Sequence, residues 1–504
     1  MSYDSARIIR NTSFLYIRML FLMIVSFFTS RKVLQNLGVV DFGIYNIVGG
    51  FTSMFIFFQS SLSNATQRYL SIELEKGNTS GAALVFRQHQ TLYLFSAIVV
   101  FIFFETIGLW FVSNKLVIPS ERITAAMWVY QFAVLSCCMI VLNVVYDAVI
   151  IAHEDMKVYS YIGIFEGVAK LVIACMISIV SWDKLIIYAL LFFLLSLTIR
   201  LFYALFCRKR YEECRSVLSW KMKGIKESFS IISWNTLGTF IYTLNDQGVN
   251  ILLNLFFGPV VNAARGIACQ ISQTINNFNT NFYTAIRPQI IKLYAIKDFT
   301  LLVKLFFQSS KYSFYMLWIF CLPVMLNIDM ILELWLGSVP EYTNIFTIWI
   351  LAYSLVNTLN APIWTVVLAA GRLKWYILIG GSVSFIAFPL SYICLNNGAT
   401  AIIVFQILFW IRVTYVGTVL FLARKYISFS LRQYFLSVIM PLSIVLVISG
   451  GISILFNRLL SMTINGRIVF CGICVLSVLL SVWTFGMTSQ ERIHLKENIR
   501  SLRK

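Results

Sequence analysis

The chain has 504 residues, of which 59% are hydrophobic and 12% are charged, and its mean hydropathy is +0.81. A water-soluble domain is about half apolar and a quarter charged, so this composition excludes a soluble globular protein and indicates one that uses lipid as its solvent. The net charge of +19 comes from 40 Lys and Arg against 21 Asp and Glu. In a membrane protein this excess is typical of cytoplasmic loops, and it does not indicate nucleic acid as a partner.

Apolar segments long enough to cross a bilayer as helices recur along the whole chain. The sequence predicts about fourteen of them, at residues 11–30, 40–62, 84–113, 123–148, 157–181, 184–206, 228–256, 260–286, 304–327, 342–370, 375–395, 398–423, 433–456 and 467–488. The predicted fold class is therefore an all-α membrane protein. Arg7 and Arg10 precede the first segment as in a signal peptide, but Arg18 interrupts it and no A-x-A-like cleavage site follows, so we expect a retained span.

Loop charge predicts the orientation of these helices. If both termini lie in the cytoplasm, the cytoplasmic loops and tails contain 27 Lys and Arg and the outer segments contain 8. Because Lys and Arg accumulate on the cytoplasmic side of membrane proteins, we expect both termini to be cytoplasmic. The outer loops are all short in this scheme.

The longest loop, 207–227, is strongly basic and divides the predicted helices into groups. Six helices precede it in an N-terminal lobe, 1–206, and six follow it in a C-terminal lobe, 228–424. Residues 425–504 contain the last two helices and a cytoplasmic tail. We therefore expect two six-helix lobes joined by a cytoplasmic linker.

An internal repeat supports the two lobes. Gly38 opens a polar helix that runs to Arg68, and Gly258 opens a polar helix that runs to Arg287. The two spacings are 30 and 29 residues. Parallel repeats of this kind occur in several transporter folds, and they predict lobes related by a pseudo-two-fold axis.

Charged residues inside spans are costly, and they usually face the bundle interior or a water-filled cavity. Arg18 lies midway along the first span, Asp246 near the middle of the seventh, and Arg412 within the twelfth. Glu166 and Lys170 lie one helical turn apart on the fifth span, where they can pair. These residues are the first candidates for a functional site.

Polar side chains also recur at helical spacing on three spans. They are Asn46, Ser53, Ser60, Asn64 and Arg68 on the second; Tyr242, Asp246, Asn250 and Asn254 on the seventh; and Asn262, Arg265, Gln273, Asn276, Thr280 and Arg287 on the eighth, where Gln270, Asn277 and Asn281 widen the stripe. Such stripes do not face lipid, and together they predict a hydrated central cavity. Since arginine pairs well with phosphate oxygens, this cavity suits an anionic headgroup.

Each feature also has a structural explanation that the sequence leaves open. Glu166 and Lys170 can form a purely structural ion pair. Asp246 can neutralise Arg18 or Arg265 across the lobes. The Asn and Gln side chains can serve as contacts between helices.

Four stretches of the chain carry a resemblance to a known family. They are RKVLQNLGVVDFGIYNIVGG (31–50), SNATQRYLSIELEKGN (63–78), WNTLGTFIYTLNDQGVNILLNLFFGPVVNAARGIACQ (234–270) and NFYTAIRPQIIKLYA (281–295). They resemble the bacterial polysaccharide (O-antigen and capsule) flippases, which belong to the multidrug/oligosaccharidyl-lipid/polysaccharide exporter superfamily. The resemblance covers the order of spans along nearly the whole chain.

The resemblance implies two lobes around a central cavity and transport by alternating access. It implies a substrate of undecaprenyl-pyrophosphate-linked oligosaccharide, flipped from the cytoplasmic to the periplasmic leaflet of the bacterial inner membrane for O-antigen, capsule or exopolysaccharide assembly. It also implies coupling to a Na⁺ or H⁺ gradient with no other cofactor, and a polysaccharide polymerase and a chain-length regulator as partners.

The candidate site residues combine this resemblance with the polar stripes. The candidate substrate-binding residues are Arg18, Arg68, Asn250, Arg265, Gln273, Asn277, Asn281, Arg287 and Arg412. The candidate ion-coupling residues are Asp246, Glu166 and Lys170. The basic members would engage the pyrophosphate or acidic sugars.

Two other classes of protein fit part of this pattern. A multidrug exporter of the same superfamily would carry mostly organic cations, which call for carboxylates and aromatic rings rather than arginines. A membrane polysaccharide polymerase or ligase generally has a large periplasmic loop with catalytic residues, and the outer loops here are short. The ten cysteines lie almost all in apolar runs and the three histidines are far apart, so the sequence predicts no metal site and no enzyme.

Overall fold

The computed structural model describes residues 5–54, 57–153, 155–215, 241, 243–459 and 464–493. Some side chains inside these ranges lie outside the described residues, and among the predicted site residues these are Arg18, Arg68 and Asn281. All regular secondary structure in the described ranges is helical, which confirms the predicted all-α class.

The described part of the N-terminal half is helical. Its helices are α1 (Ser5–Ser53), α2 (Phe57–Glu75), α3 (Thr79–Phe103), α4 (Leu109–Asn114), α5 (Ile123–Ala152), α6 (Met156–Met176), α7 (Lys184–Arg210) and α8 (243–257). A π-helical turn, Phe104–Gly108, joins α3 to α4, and a 3₁₀ turn, Glu212–Arg215, follows α7.

The described part of the C-terminal half is also helical. Its helices are α9 (Pro259–Ala295), α10 (Phe299–Leu326), α11 (Ile328–Leu336), α12 (Thr343–Thr358), α13 (Asn360–Ala369), α14 (Leu373–Phe385), α15 (Ala387–Asn396), α16 (Ile402–Ala423), α17 (Leu431–Tyr434), α18 (Met440–Leu459) and α19 (Ile464–Ser481). The break between α12 and α13 lies just before Pro362, which has no N–H to donate to the carbonyl group of Thr358.

Within the described part of the chain, nine helical segments are long and apolar enough to cross a membrane, or ten if α10 and α11, bent by 79°, form one span. They coincide with the predicted third to sixth and ninth to fourteenth spans. The other four predicted spans, the first, second, seventh and eighth, are helical where they are described. The multi-span membrane class is therefore confirmed, while the total of fourteen stays a prediction.

The chain divides into two compact units, Met1–Ala263 and Ala264–Lys504. The division falls inside α9, so α8 and the first turn of α9 belong to the first unit. Residues 216–227 of the predicted linker lie outside the described residues, and the predicted lobe limits at 206 and 228 stay predictions. In the described part of the linker, Tyr211 and Cys214 are buried against Tyr146 of α5 and neighbouring apolar side chains.

The predicted repeat has a counterpart in the backbone. Gly38 interrupts α1 with φ 78° and ψ 171°, and Gly258 separates α8 from α9 with φ 76°. Residues other than glycine rarely adopt this positive φ. The two repeat segments therefore both begin with a glycine that breaks a helix.

The first unit holds the second half of α1 in its core. Ile44, Ile47 and Val48 are buried against Val129 and Tyr130 of α5. This packing fixes the segment that follows the Gly38 break and positions it beside α8.

An ionic cluster joins helix ends in the same unit. Arg122 places one nitrogen 2.5 Å from the Asp41 carboxylate and another 2.6 Å from the Asp183 carboxylate. Asp183 also accepts the backbone N–H groups of Leu185 and Ile186 at the start of α7. The cluster therefore connects α1, α5 and α7 at one end of the unit.

Candidate substrate and ion sites

The polar residues of α9 separate into two sets. The helix begins at Pro259, a residue favoured at the first helical position. On one side, the Asn276 amide donates to the Ser354 hydroxyl of α12 at 3.1 Å, and the hydroxyl groups of Ser272 and Ser354 lie 2.8 Å apart. This set anchors α9 to α12 within the second unit.

The other set forms a face that we call the open polar face. It consists of Gln273, Asn277, Thr280 and Arg287, all of which are exposed. At 3.6 residues per turn, these four positions fall within a narrow arc of the helix. If α9 crosses the bilayer as the sequence predicts, its exposed amide and guanidinium groups require water or a polar ligand, and this face then suits a hydrated path with a basic end at Arg287.

Arg265 has different surroundings from the open polar face, although it lies on the same helix. It is buried, with 7% of its surface exposed. Its predicted role in substrate binding stays a prediction, as do the roles of Arg18, Arg68 and Asn281, whose side chains lie outside the described residues.

Two predicted site residues of α8 bond to neighbouring protein groups. The Asn250 amide donates to the Asn46 carbonyl at 3.4 Å, and its oxygen accepts from the Asn262 amide at 2.8 Å. Asp246 accepts from the adjacent Gln247 amide at 3.3 Å and is half-buried. Asn250 thus already serves as a contact between helices, and its predicted substrate contact stays untested.

Arg412 of α16 is buried inside the second unit. Its guanidinium lies 4.3 Å from the ring centroid of Tyr415 and 5.5 Å from that of Tyr353, and it donates to the Asn357 side chain of α12. Aromatic faces attract cations, so these rings and Asn357 hold Arg412 between α12 and α16. The Tyr415 hydroxyl in turn donates a hydrogen bond to the Tyr376 hydroxyl at 2.9 Å.

The first unit contains a cavity of about 440 Å³ between α1, α5, α6 and α7. The polar and charged side chains at its wall include those of Asn143, Asp147, Glu166 and Lys170. The Lys170 ammonium donates to the Glu166 carboxylate at 2.5 Å, and each of these side chains is 38% exposed. The predicted pair therefore forms at the wall of a cavity rather than in a packed core.

The cavity also contains groups that the sequence analysis missed. The Asn143 amide donates to the Asp147 carboxylate at 3.3 Å, and the buried Asn143 oxygen has no hydrogen-bond partner among the described residues. Asp147 was overlooked because it lies next to the end of the predicted span 123–148, whereas α5 continues to Ala152. The four-residue spacing of Asn143 and Asp147, like that of Glu166 and Lys170, was the available signal.

A second overlooked carboxylate is Glu105, in the π-helical turn between α3 and α4. It accepts from the Gln131 amide of α5 at 3.3 Å. π-helical turns are frequent at functional sites, and a carboxylate within an otherwise apolar span was a signal in the sequence.

Comparison with known proteins gives a fold but no closer relative. No family model matches the sequence, and no curated protein matches it. A multidrug resistance MATE family transporter of the MOP superfamily, in an inward-facing conformation, superposes with a TM-score of 0.68 at 14% identity over 82% of this chain and 98% of that one. The lipid II flippase MurJ, in an inward closed conformation, superposes with a TM-score of 0.67 at 13% identity over 94% and 98%.

A third solved structure extends this comparison. A MOP superfamily transporter from Pyrococcus furiosus, described as having a binding pocket of reverse polarity, superposes with a TM-score of 0.56 at 15% identity over 82% of this chain and 95% of that one. At these identities the likeness concerns the fold. The chain therefore has the fold of these membrane transporters, and the substrate must be argued from its own residues.

Proposed function

We propose that this chain is a flippase for undecaprenyl-pyrophosphate-linked oligosaccharide and moves it from the cytoplasmic to the periplasmic leaflet of a bacterial inner membrane. The observation that carries the proposal is the open polar face of α9, which ends in the exposed Arg287. Amides along this face can donate to sugar hydroxyls, and a guanidinium can bind phosphate oxygens at two points.

The fold comparison supports a lipid-linked substrate. The MurJ structure matches 94% of the chain, and that protein is named a lipid II flippase. In this proposal the lipid tail stays in the bilayer while the charged headgroup follows the hydrated face. A polysaccharide polymerase and a chain-length regulator would then act on the translocated product.

The direct test replaces residues of the open polar face in cells that lack the native gene. Arg287→Ala and the double change of Gln273 and Asn277 to Ala should reduce surface polysaccharide and cause lipid-linked oligosaccharide to accumulate inside, at normal protein levels. Gln289→Ala is the matched control, since Gln289 is exposed on the opposite side of α9. Wild-type polysaccharide in both variants would contradict the proposal. Arg18→Ala and Arg265→Ala test the remaining arginines in the same assay.

Coupling to Na⁺ or H⁺ is proposed at the cavity of the first unit. The Asp147 and Glu166 carboxylates, together with the Asn143 oxygen, give oxygen ligands of the type that hard cations prefer, and either carboxylate could instead carry a proton. Asp147→Asn should make flipping independent of the coupling gradient or abolish it. Unchanged gradient dependence in both Asp147→Asn and Glu166→Gln would place coupling elsewhere.

The second candidate is a multidrug exporter, and the same cavity favours it. Tyr45, Tyr159, Tyr203 and Phe192 line the wall beside the two carboxylates, and aromatic rings with carboxylates suit organic cations. Dye efflux from cells with and without the gene separates the two functions. Loss of efflux with normal polysaccharide would favour the exporter.

A further inference from the structure

The second half of α1 approaches α8 and the start of α9 closely at two glycines of the first unit. A Cβ atom on Gly43 of α1 would overlap the backbone carbonyl group of Pro259, and a Cβ on Gly50 would lie 2.5 Å from the Gln247 side-chain oxygen. The second half of α1 therefore lies directly against α8 and the turn that begins α9.

At the end of this contact, Asn254 of α8 bonds to a non-helical segment that follows α4. Its side-chain oxygen accepts the Val117 N–H at 2.8 Å, and its amide donates to the Val117 carbonyl at 3.3 Å. One side chain thereby satisfies both backbone groups of a residue that has no helical partner for them.

Asn262, in the first turn of α9, completes the contact. Its amide donates to the Asn250 carbonyl at 2.7 Å and to the Asn250 side-chain oxygen at 2.8 Å. Its own oxygen accepts from the Asn254 amide at 3.1 Å. We call Asn250, Asn254 and Asn262 the asparagine network; all three are buried.

The network connects parts of the chain that belong to different repeats. Gly258 opens the second repeat, yet α8 and residues up to Ala263 lie in the compact unit that contains the first. Amide and backbone groups exchange protein partners for water at little net cost, so this contact suits repeated breaking and forming better than an apolar one. Loop charge places the 115–119 segment and the Gly258 turn on the outer side of the membrane.

We propose that the asparagine network is an outer gate latch. It holds α8 and the first turn of α9 against α1 and Val117 while the outer path is shut, and it parts when that path opens. The proposal rests on the alternating access of the proposed function. Asn254 is the positioning residue of the latch, because it bonds to both Val117 and Asn262.

The test is a labelling experiment on the full-length chain in whole cells. Val261→Cys places a reporter thiol in the first turn of α9, where Val261 is 5% exposed, and a membrane-impermeant maleimide is added outside. Adding Asn254→Ala should raise the labelling rate several-fold. Labelling of the native cysteines is measured in the unsubstituted chain and subtracted. Asn114→Ala is the matched control, since that amide bonds its own helix at Trp110 and Ser113, and it should leave the rate unchanged.

Three results would overturn the latch. The labelling rate of Val261→Cys could be the same with and without Asn254→Ala, Asn114→Ala could raise it as much as Asn254→Ala does, or the thiol could be labelled from the cytoplasmic side alone. If Asn254→Ala does not accumulate in the membrane, Asn262→Asp replaces it, because it removes the donor to Asn250 while keeping an acceptor. Surface polysaccharide is measured in the same cells. Increased labelling together with polysaccharide that does not depend on the gene would keep the latch and refute the flippase.

Discussion

Asn262 and Asn277 lie on the same helix, carry the same side chain, and have opposite surroundings. Asn262 is buried and bonds to Asn250 and Asn254, whereas Asn277 is exposed on the open polar face. The difference shows that a polar residue in a span does not by itself mark a substrate path. What matters is whether the protein already satisfies the hydrogen-bonding groups of that residue.

For ion pairs, too, the surroundings decide what a residue contributes. Breaking a buried ion pair should give the largest loss of unfolding free energy. In the second unit, the Lys311 ammonium lies 3.0 Å from the Glu491 carboxylate, and these side chains are 4% and 8% exposed. Lys311→Met leaves Glu491 buried without its cation, so it should lower the free energy of unfolding by about 3–5 kcal/mol. Lys170→Met, in the half-exposed cavity pair, should lower it by less than about 1 kcal/mol. Similar losses in detergent denaturation of the two variants would contradict the rule.

Substitution of Arg287 tests whether the open polar face binds the substrate. If it binds a phosphate group, Arg287→Ala removes charged hydrogen bonds of about 1.5–3 kcal/mol, which is a tenfold to hundredfold loss of flipping. Arg287→Lys should keep part of the activity, because it retains the charge but not the two-point geometry. The unfolding free energy of both variants should stay within about 0.5 kcal/mol of wild type. A large loss of stability would mean that Arg287 is a structural contact.

Substitution of Asn262 tests how much the hydrogen bonds of the asparagine network contribute to stability. Hydrogen bonds between membrane helices average about 0.6 kcal/mol, and Asn262→Leu breaks three of them, so we expect a loss of about 1–2 kcal/mol in unfolding free energy. Asn277→Leu should cost less than about 0.5 kcal/mol while impairing transport. Equal stability of the two variants would remove the distinction between the network and the face.

The smallest expected effect concerns the pH dependence of stability, and it compares the adjacent residues Glu213 and Glu212. Glu213 is buried beside His153, 2.5 Å away. Burial raises its pKa, but the hydrogen bond from His153, a backbone hydrogen bond and the charge of His153 together outweigh burial and hold the pKa below its ordinary value of 4.5. A depressed folded-state pKa means that this carboxylate stabilises the protein above the ordinary value, and that the contribution is lost as pH falls through the folded-state pKa. Glu213→Gln should flatten the fall in melting temperature at acidic pH, and the exposed neighbour Glu212→Gln should not.

The fold was accessible from the sequence because its main determinants are local. Apolar runs of sufficient length predict spans, and ten of the predicted spans have matching helical segments when the bent pair α10–α11 counts as one. Gly38 and Gly258 were recognisable because residues other than glycine rarely adopt the positive φ found at both positions. The polar spans were harder, since helical spacing shows which residues share a face but not what packs against it.

The site was accessible only in part for the same reason. The pairing of Glu166 and Lys170 follows from a four-residue spacing within one helix. The contact of Asn254 with Val117 joins residues 137 positions apart, and no local pattern encodes it. Asp147 was missed because the predicted span ended at the next residue, although the helix continues to Ala152.

The sequence by itself determined that this protein lies in a membrane, that it is helical, and that Gly38 and Gly258 begin the two repeat segments, because hydropathy and backbone conformation depend on neighbouring residues. The tertiary structure decided which amides are bonded and which are open, and which carboxylates share a cavity. Those properties depend on distant segments that meet only when the chain is folded.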